Sequence, residues 1–293
     1  MDKYTVISFP SLGIEIDPSK AISIGPLQIH WYGVIIAAGL MLAVIYACRR
    51  CKEFGIKEDD LLDGVLCIVP FAILCARLYY CVFEWDRYKD DLLSILKIWE
   101  GGLAIYGGVI GAAIGIVVFA WVKKEKVNLL AALDVTSLGF LIGQAIGRWG
   151  NLINREAFGA PTDSFFRMGL YNAYTGVTEY YHPTFLYESV WNICGFILLH
   201  FLSKRRQYDG QVALGYVAWY GLGRAFIEGL RMDSLYWGQI RVSQALAAVS
   251  CLAAVAVLVW MHTRKPDPEQ LFVRRVARRE AEKEIVKEVQ ENE

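Results

Sequence analysis

The sequence predicts an all-α polytopic membrane protein with seven transmembrane helices. The chain has 293 residues, of which 55% are hydrophobic and 20% are charged. Its mean hydropathy of +0.34 is too high for one soluble domain. Three uncharged runs are each about as long as a bilayer crossing requires: Trp31 to Cys48, Leu103 to Val122 and Val242 to Met261.

Four further spans are predicted near residues 61–83, 127–148, 183–203 and 211–229. Each carries ionisable residues, which usually mark function inside a membrane segment. These residues are Arg77, Asp134, Arg148, Glu188, Arg224 and Glu228. Arg77 lies near the end of its span, and we expect its side chain to extend toward lipid head groups.

The distribution of lysine and arginine predicts the orientation of the spans. Basic clusters follow the first, third, fifth and seventh spans: Arg49 to Lys57, Lys123 to Lys126, Lys204 to Arg206, and Arg264 with Lys265. This pattern places the N-terminus outside and the C-terminus in the cytoplasm.

Three regions follow from this topology. Residues 1–29 are expected to form an outer-face arm or small hairpin. Residues 30–262 form the seven-helix membrane domain, in which the outer loop 150–182 is long enough for a small head or cap. Residues 263–293 form a charged helical tail in the cytoplasm. No cleavable signal peptide is apparent, so the first span is expected to direct insertion.

Charge and cysteine content exclude several classes of function. Thirty Lys and Arg residues balance thirty Asp and Glu residues, so a nucleic-acid partner is not expected. The seven cysteines lie mostly inside spans, and Cys48 and Cys51 have no second pair to complete a metal site. No hydrolase elbow or zinc-protease motif is present, and we expect neither a metal nor a cofactor.

Glycines, amides and charges are concentrated in the segment Gly147 to Gly159, which ends the fourth span. The Arg148 guanidinium requires an anionic partner at the edge of the hydrocarbon. Asn151 and Asn154 share one side of the continuing turn, and Asp134 lies on nearly the same helix face as Arg148. We expect a polar pocket at membrane depth. The alternative is a capped helix end from which Arg148 reaches the head groups.

Two later segments add polar residues at the same depth. Glu188 lies about one turn inside span five, after His182-Pro183, and needs a partner. In span six, a helical spacing places four polar residues on one face, where Glu228 pairs with one arginine and leaves the other available. Those four residues are Tyr220, Arg224, Glu228 and Arg231.

His30 and Tyr106 are expected near this depth as well. The glycine spacing of span three, at Gly107, Gly111 and Gly115, predicts close helix packing. Gly107-Gly108 is also expected to clear space for the Tyr106 hydroxyl. Two inward arginines facing one cavity suit a phosphate, because guanidinium groups bind phosphoryl oxygens through paired hydrogen bonds. The natural anion at this depth is a phospholipid head group.

The segment Gly147 to Gly159 resembles the signature of the prolipoprotein diacylglyceryl transferases. These bacterial membrane enzymes move diacylglycerol from phosphatidylglycerol onto the lipobox cysteine of preprolipoproteins. The resemblance covers about residues 25–262. Supporting pieces are His30 to Gly33, Glu100 to Gly102 with Gly107-Gly108, His182-Pro183 with Leu186 to Glu188, and Gly221 to Glu228 with Arg231.

The resemblance implies a seven-span enzyme of the bacterial plasma membrane, with its active site toward the outer leaflet and lateral openings for membrane lipids. Its substrates would be phosphatidylglycerol and the signal peptide of a preprolipoprotein, and its product glycerol 1-phosphate. Arg148 and Arg224 would bind the phosphate. By the same resemblance, the site would be shaped by Asn151, Glu156, Tyr32, Asp134, Tyr220 and Glu228. We also expect Asn154 and Arg231 to bind the lipid, as Asn151, Tyr32, Tyr220 and Glu228 do, and His30, Asp134 and Glu188 to give polar support.

One residue departs from the family pattern. Many members have histidine where this chain has Tyr106, and that histidine has been considered the base that accepts the thiol proton. Tyrosine is a poor base at neutral pH, so Tyr106 is expected to position substrate. The candidates for the base are then His182, His30, Glu156, the phosphate itself or water.

Two other functions remain open at this stage. A transporter or flippase for an anionic lipid also needs inward arginines, although its polar groups should lie at the bilayer midplane. A structural scaffold or receptor would leave the arginine and asparagine cluster without a purpose.

Overall fold

The computed structural model describes residues 3–25, 27–98, 101–232 and 236–291. It divides into two compact units. The first contains Met1–Tyr46 and Thr136–Pro268, and the second contains Ala47–Val135 and Glu269–Glu293. Glu100 of the predicted motif, and Trp99 beside it, fall outside the described residues.

Helices dominate the described part of the chain. They are α1 (Trp31–Arg50), α2 (Glu58–Phe83), α3 (Ile105–Val122), α4 (Leu129–Asn154), α5 (Thr184–Ser203), α6 (Gln211–Glu228), α7 (Val242–Arg264) and α8 (Phe272–Glu291). Six of them, α1 to α5 and α7, are long and apolar enough to cross a membrane. The chain is therefore a mostly helical, multi-pass membrane protein. Helix α6 is not among the six, because it begins with Gln211 and carries Arg224 and Glu228.

A four-stranded antiparallel sheet stands beside the helices of the first unit. It combines β1 (Tyr4–Phe9) and β2 (Ile14–Ile16) of the N-terminal segment with β5 (Met168–Asn172) and β6 (Val177–Tyr181) of the long loop. The strand order is β2-β1-β5-β6. Strands of the N-terminal segment and of the long loop thus form one sheet, which we call the head sheet.

The head sheet packs on the ends of two membrane helices. Its inner face contributes Ile7 and Leu170, which are paired across β1 and β5 and fully buried. They share one apolar cluster with Leu152 of α4 and Phe185 of α5. Burial of apolar side chains contributes about 25 cal/mol per Å², so this cluster holds the sheet to the helix ends.

Two short hairpins precede α1 and α7. The first pairs β3 (Ala21–Ile24) with β4 (Leu27–His30), and the second pairs β7 (Tyr236–Trp237) with β8 (Ile240–Arg241). The backbone N–H of Trp31 donates to the Lys20 carbonyl at 3.0 Å, which connects the start of α1 to the first hairpin.

Helices α5 and α6 are joined by a reciprocal pair of indoles. Each of Trp191 and Trp219 donates its ring N–H to the backbone carbonyl of the other, at 2.9 Å in both directions. The rings stack at 4.4 Å between centroids. They lie over Gly223 and Gly195, where any side chain would collide with them. This pair sets the spacing of the two helices that carry Glu188 and Arg224.

In the second unit, α3 packs closely on α2 through the predicted glycine face. A side chain at Gly111 would collide with Cys75, and one at Gly115 would press on Ile68. Gly107 contacts α2 in the same way, at Tyr79 and Cys75. That Gly107-Gly108 clears space for the Tyr106 hydroxyl stays a prediction.

The prediction for Arg77 was wrong. Its side chain is buried and donates hydrogen bonds to five backbone carbonyls, instead of reaching toward head groups. The acceptors are Ser94, Ile95, Lys97, Gly101 and Gly102, at 2.6 to 3.3 Å. A guanidinium carries five N–H donors in a planar fork, and here it organises the loop between α2 and α3.

The charged tail forms α8, and its first turn packs against the rest of the second unit. Leu271 and Phe272 are buried, and Phe272 lies against Gly55, just after the 3-10 helix Cys51–Phe54. Gly55 has φ +77 and its Cα faces the backbone of Val273, so a side chain there would be both strained and obstructed. Most of the remaining α8 residues are exposed.

Candidate active site

Glu188 is the centre of the polar cluster in the first unit. It lies in the second turn of α5, which follows Pro183 at the N-cap position. Thr184 in the first turn donates its hydroxyl to the Ala157 carbonyl at 2.5 Å, which fixes the start of the helix against the turn that follows α4. The Glu188 side chain is only 4% exposed, so its carboxylate requires cationic partners.

Two arginines from distant helices bind this carboxylate. Arg148 of α4 places Nη2 2.5 Å from Glu188 Oε2, and Arg224 of α6 places Nη1 2.9 Å from Oε1. The two guanidinium tips, 76 residues apart in sequence, thus bracket a single carboxylate. The sequence predicted that Arg148 and Arg224 face one cavity, and the structure brings them together.

A second carboxylate and a third arginine extend the cluster. Glu228 Oε2 lies 2.5 Å from Arg224 Nη2 and 4.0 Å from Arg231 Nε. Arg231 Nη1 lies 3.6 Å from Glu188 Oε1. Both arginines therefore face both carboxylates, whereas the sequence suggested that Glu228 would engage one and leave the other available. Arg241 also donates to the backbone carbonyl of Glu228.

Three guanidinium groups face the two carboxylates, Glu188 and Glu228. The carboxylates are almost inaccessible, at 4% and 2% exposed, whereas the side chains of Arg148, Arg224 and Arg231 are 21%, 17% and 11% exposed. The accessible surface of the cluster is therefore cationic, and it is suited to bind an anion.

A second polar group lies at the end of α4, beginning one helical turn after Arg148. The side-chain amides of Asn151 and Asn154 both donate to Glu156 Oε1, at 3.2 and 3.1 Å. The structure thus brings together three of the predicted site residues. Both asparagines lie on the helix, whereas Glu156 lies in the turn that follows it.

Aromatic side chains flank these two groups. The ring of Tyr32 covers Gly150, where a side chain would collide with it. Tyr220 stacks on Tyr216 at 5.8 Å between centroids, and the Tyr216 hydroxyl accepts a hydrogen bond from Gln144 at 3.0 Å. These contacts orient the rings of Tyr32 on α1 and Tyr220 on α6.

His182 and His30, the two histidines predicted as candidates for the base, differ in how exposed they are. His182 is partly buried, and its Nδ1 lies 3.3 Å from the Tyr187 hydroxyl. Its backbone pairs with Gly159 and Ala160, which fixes the residue beside the polar turn. His30 is exposed at the end of β4.

Asp134 and Tyr106 belong to the second unit. Asp134 is fully buried on α4, and Tyr106 is 56% exposed in the first turn of α3. Their contribution to the site remains a prediction. Among the described residues, no group of three or more His, Cys, Asp or Glu side chains is placed to hold a metal ion.

Sequence reasoning missed one residue of this region. Arg155, between Asn154 and Glu156, is buried and forms an ion pair with Asp17 at 2.7 Å. It also donates to the carbonyls of Thr5, Ile153 and Pro18. The only available signal was its place inside the Gly147 to Gly159 segment, because three of its four partners, Thr5, Asp17 and Pro18, lie more than 130 positions earlier in the chain.

The chain is similar to one known protein family over most of its length. The prolipoprotein diacylglyceryl transferase family profile matches residues 19–260. A phosphatidylglycerol–prolipoprotein diacylglyceryl transferase of Listeria monocytogenes is 41% identical over 259 residues, which cover 86% of this chain and 92% of that protein. Proteins of the same name from Lactiplantibacillus plantarum and Bacillus velezensis are each 42% identical. These two alignments cover 84% and 85% of this chain, and 90% and 93% of the respective relatives. The chain belongs to the prolipoprotein diacylglyceryl transferase family.

Proposed function

We propose that this protein transfers the diacylglyceryl group of phosphatidylglycerol to the lipobox cysteine of a preprolipoprotein, which is the first step of lipoprotein maturation. The observation that carries the proposal is the cluster of Arg148, Arg224 and Arg231 around two buried carboxylates. Membership of the family indicates which reaction is catalysed. The cluster would bind the anionic phosphate of phosphatidylglycerol.

The accessible groups of the cluster match the head group. The phosphodiester of phosphatidylglycerol carries one negative charge, and the more exposed groups of the cluster are guanidinium cations. Arg148 uses one terminal nitrogen in its contact with Glu188, and a guanidinium has five N–H donors. Donors therefore remain for the phosphoryl oxygens, while Glu188 keeps the guanidinium groups in place.

The reaction is a displacement at a glycerol carbon. The cysteine sulfur, as thiolate, attacks the methylene carbon that bears the phosphate ester. A carbon–sulfur bond forms, the carbon–oxygen bond breaks, and its electron pair leaves with glycerol 1-phosphate. Negative charge accumulates on the departing phosphate, and the guanidinium groups of Arg148 and Arg224 stabilise it. A site that excludes water would also suppress hydrolysis.

The thiol proton must go to a base near the sulfur. Glu156 is one candidate, since Asn151 and Asn154 hold its carboxylate. His182 and His30 are the others from the protein, and the phosphate or water can also accept the proton. Tyr106 is proposed to position substrate, because a neutral phenol is a poor base.

We infer seven crossings, with α6 as the sixth span, the N-terminus outside and the C-terminus in the cytoplasm. Helix α6 has 18 residues, about 27 Å at the α-helical rise, and the indole pair joins it to α5. Arg148 and Arg224 lie near the ends of their helices, and Glu188 near the start of its own. The opposite end of α5 is followed by Lys204 to Arg206, which favours a site at the outer leaflet of the bacterial plasma membrane.

The proposal is tested by reconstituting the purified protein in vesicles that contain phosphatidylglycerol and adding a lipobox peptide. Arg148→Ala and Arg224→Ala should each reduce thioether formation at least about a hundredfold, as the loss of a transition-state donor does elsewhere. Mass spectrometry of the peptide measures the product, and thermal unfolding confirms that each variant is folded.

Arg87→Ala is the matched control, since Arg87 is an exposed arginine paired with Glu84 at 3.1 Å. It should retain activity within about twofold. Folded Arg148→Ala and Arg224→Ala variants that transfer at the wild-type rate would refute the role of the cluster. A transporter or flippase is not favoured, because the relatives carry the name of a transferase.

A further inference from the structure

Helix α4 ends in a turn that usually requires glycine. The N–H of Arg155 donates to the Leu152 carbonyl at 3.1 Å, and the N–H of Glu156 donates to the Asn151 carbonyl at 3.1 Å. These two bonds define a Schellman motif, in which the first residue after the helix adopts the left-handed conformation. Arg155 occupies that position with φ 56, although any side chain with a Cβ is disfavoured there.

Arg155 lacks the backbone freedom of glycine, so the left-handed conformation must be stabilised by the contacts of its side chain. Its guanidinium is buried and ends at Asp17, which is 2.7 Å away. It also donates to the carbonyls of Thr5 and Pro18 in the N-terminal segment and to that of Ile153 in the last turn of α4. The structure combines these contacts with a left-handed residue 155, so they oppose a change of its backbone conformation.

The same turn is fixed on its other side. Ala157 is also left-handed, with φ 58, and its carbonyl accepts the hydroxyl hydrogen bond of Thr184 at the start of α5. Glu156 lies between these two fixed residues. Its carboxylate meets the amides of Asn151 and Asn154, and this contact depends on the direction in which the turn presents it.

We propose that Arg155 is a positioning residue for the transfer reaction: by holding the turn after α4 in the left-handed conformation, it keeps the Glu156 carboxylate at the asparagine pair. The inference rests on the proposed function. It also gives the N-terminal segment a role in that function, because Thr5 and Asp17 bind the Arg155 side chain. Arg155 touches no reacting atom in this account and acts only through Glu156.

Two substitutions separate positioning from simple stabilisation. Arg155→Ala removes the contacts and retains a Cβ, so the turn should relax and kcat should fall about tenfold or more. Arg155→Gly removes the same contacts but favours the left-handed conformation, so kcat should remain within about threefold of wild type. The KM for phosphatidylglycerol should change little in either variant, since the arginine cluster is not altered.

A double-mutant cycle with Glu156→Gln tests whether the effect passes through Glu156. If it does, Arg155→Ala should reduce kcat much less in the Glu156→Gln background than in the wild-type background. Thermal unfolding of each variant measures the loss of stability separately from the loss of kcat. If Arg155→Ala does not fold, the kcat of Arg155→Gly still tests the proposal.

The outcomes are distinct. Equal loss of kcat in Arg155→Gly and Arg155→Ala would overturn the inference, because the contacts themselves would then be what activity requires. Independent effects of the Arg155 and Glu156 substitutions would also overturn it, as would full kcat in Glu156→Gln. A wild-type protein that forms no thioether would instead refute the proposed function.

Discussion

At the scale of single residues, the site depends on a carboxylate whose role is to hold the arginines in place. Glu188 is bound by Arg148 and Arg224 and lies 3.6 Å from Arg231. Without it, these three guanidinium groups would lose the carboxylate that they share. Breaking a buried ion pair by removing one partner is costly, because the remaining charge stays buried without compensation.

We therefore expect Glu188→Gln to destabilise the protein by about 3 kcal/mol, since the amide keeps the shape but loses the charge. Thermal or denaturant unfolding in detergent measures the change. Glu84→Gln is the control, because it removes the carboxylate of an exposed pair and should cost less than about 1 kcal/mol. Equal stability losses in the two variants would contradict the central place given to Glu188.

At the scale of elements, the indole pair between α5 and α6 determines where Glu188 meets Arg224. Trp191 and Trp219 fill the grooves at Gly223 and Gly195, and each ring is held by a hydrogen bond to the opposite helix. An added methyl group in a filled groove forces the helices apart, and overpacking of this kind costs about 1 to 3 kcal/mol.

Gly223→Ala should accordingly lower the melting temperature and also reduce transfer, because Arg224 is the next residue. Gly143→Ala in α4 is the matched change, since nothing lies within 4 Å of its added Cβ. Replacing a helical glycine without a clash stabilises by about 0.4 to 1 kcal/mol. The packing account fails if the two substitutions have the same effect on unfolding.

The head sheet contains a carboxylate that makes its stability dependent on pH. The hydroxyls of Tyr181 and Tyr4 donate to Glu179 Oε2 at 2.5 and 3.0 Å, and the Asn172 amide donates to Oε1 at 3.1 Å. These hydrogen bonds, with that of Tyr181 the largest contribution, lower the pKa of Glu179 below its ordinary value. Its ionised form is therefore favoured in the folded sheet.

A lowered pKa means that Glu179 stabilises the head sheet above the pKa of an unfolded glutamate, which is about 4.3. This contribution should disappear as the pH falls through the lower folded-state value. Hydrogen exchange of β5 and β6 should accelerate in wild type as the pH falls below about 4.3, after correction for the intrinsic exchange rate. Glu179→Gln should remove that pH dependence, and a wild-type profile that is flat in this range would contradict the assignment.

At the scale of the whole molecule, hydropathy predicted most of the helices because the bilayer requires long apolar segments whose backbone bonds are internal. The six helices of sufficient length and apolarity confirm a polytopic membrane protein, while the seventh crossing and the orientation stay predictions. The sequence also predicted that Arg148 and Arg224 face one cavity. Helical spacing indicates which polar residues share a face. Exposing charged side chains to lipid costs free energy, so polar faces of different helices are expected to contact one another.

Other features had no local signal in the sequence. The pairing of β1 with β5 joins Ile7 to Leu170, and contacts of such sequence separation leave no periodic pattern. The buried position of Arg77 depends on five carbonyls of a folded loop, which hydropathy does not describe. Arg155 occupies a position where glycine is the ordinary residue, so the sequence rule for helix ends did not indicate its role.

The most direct test of the central claim is the stoichiometry of the reaction in vesicles of labelled phosphatidylglycerol with a lipobox peptide. Wild-type protein should release one glycerol 1-phosphate for each thioether formed, and Arg148→Ala and Arg224→Ala should abolish both products together. Folded wild-type protein that binds the lipid but forms no thioether, or that moves it across the bilayer intact, would contradict the account.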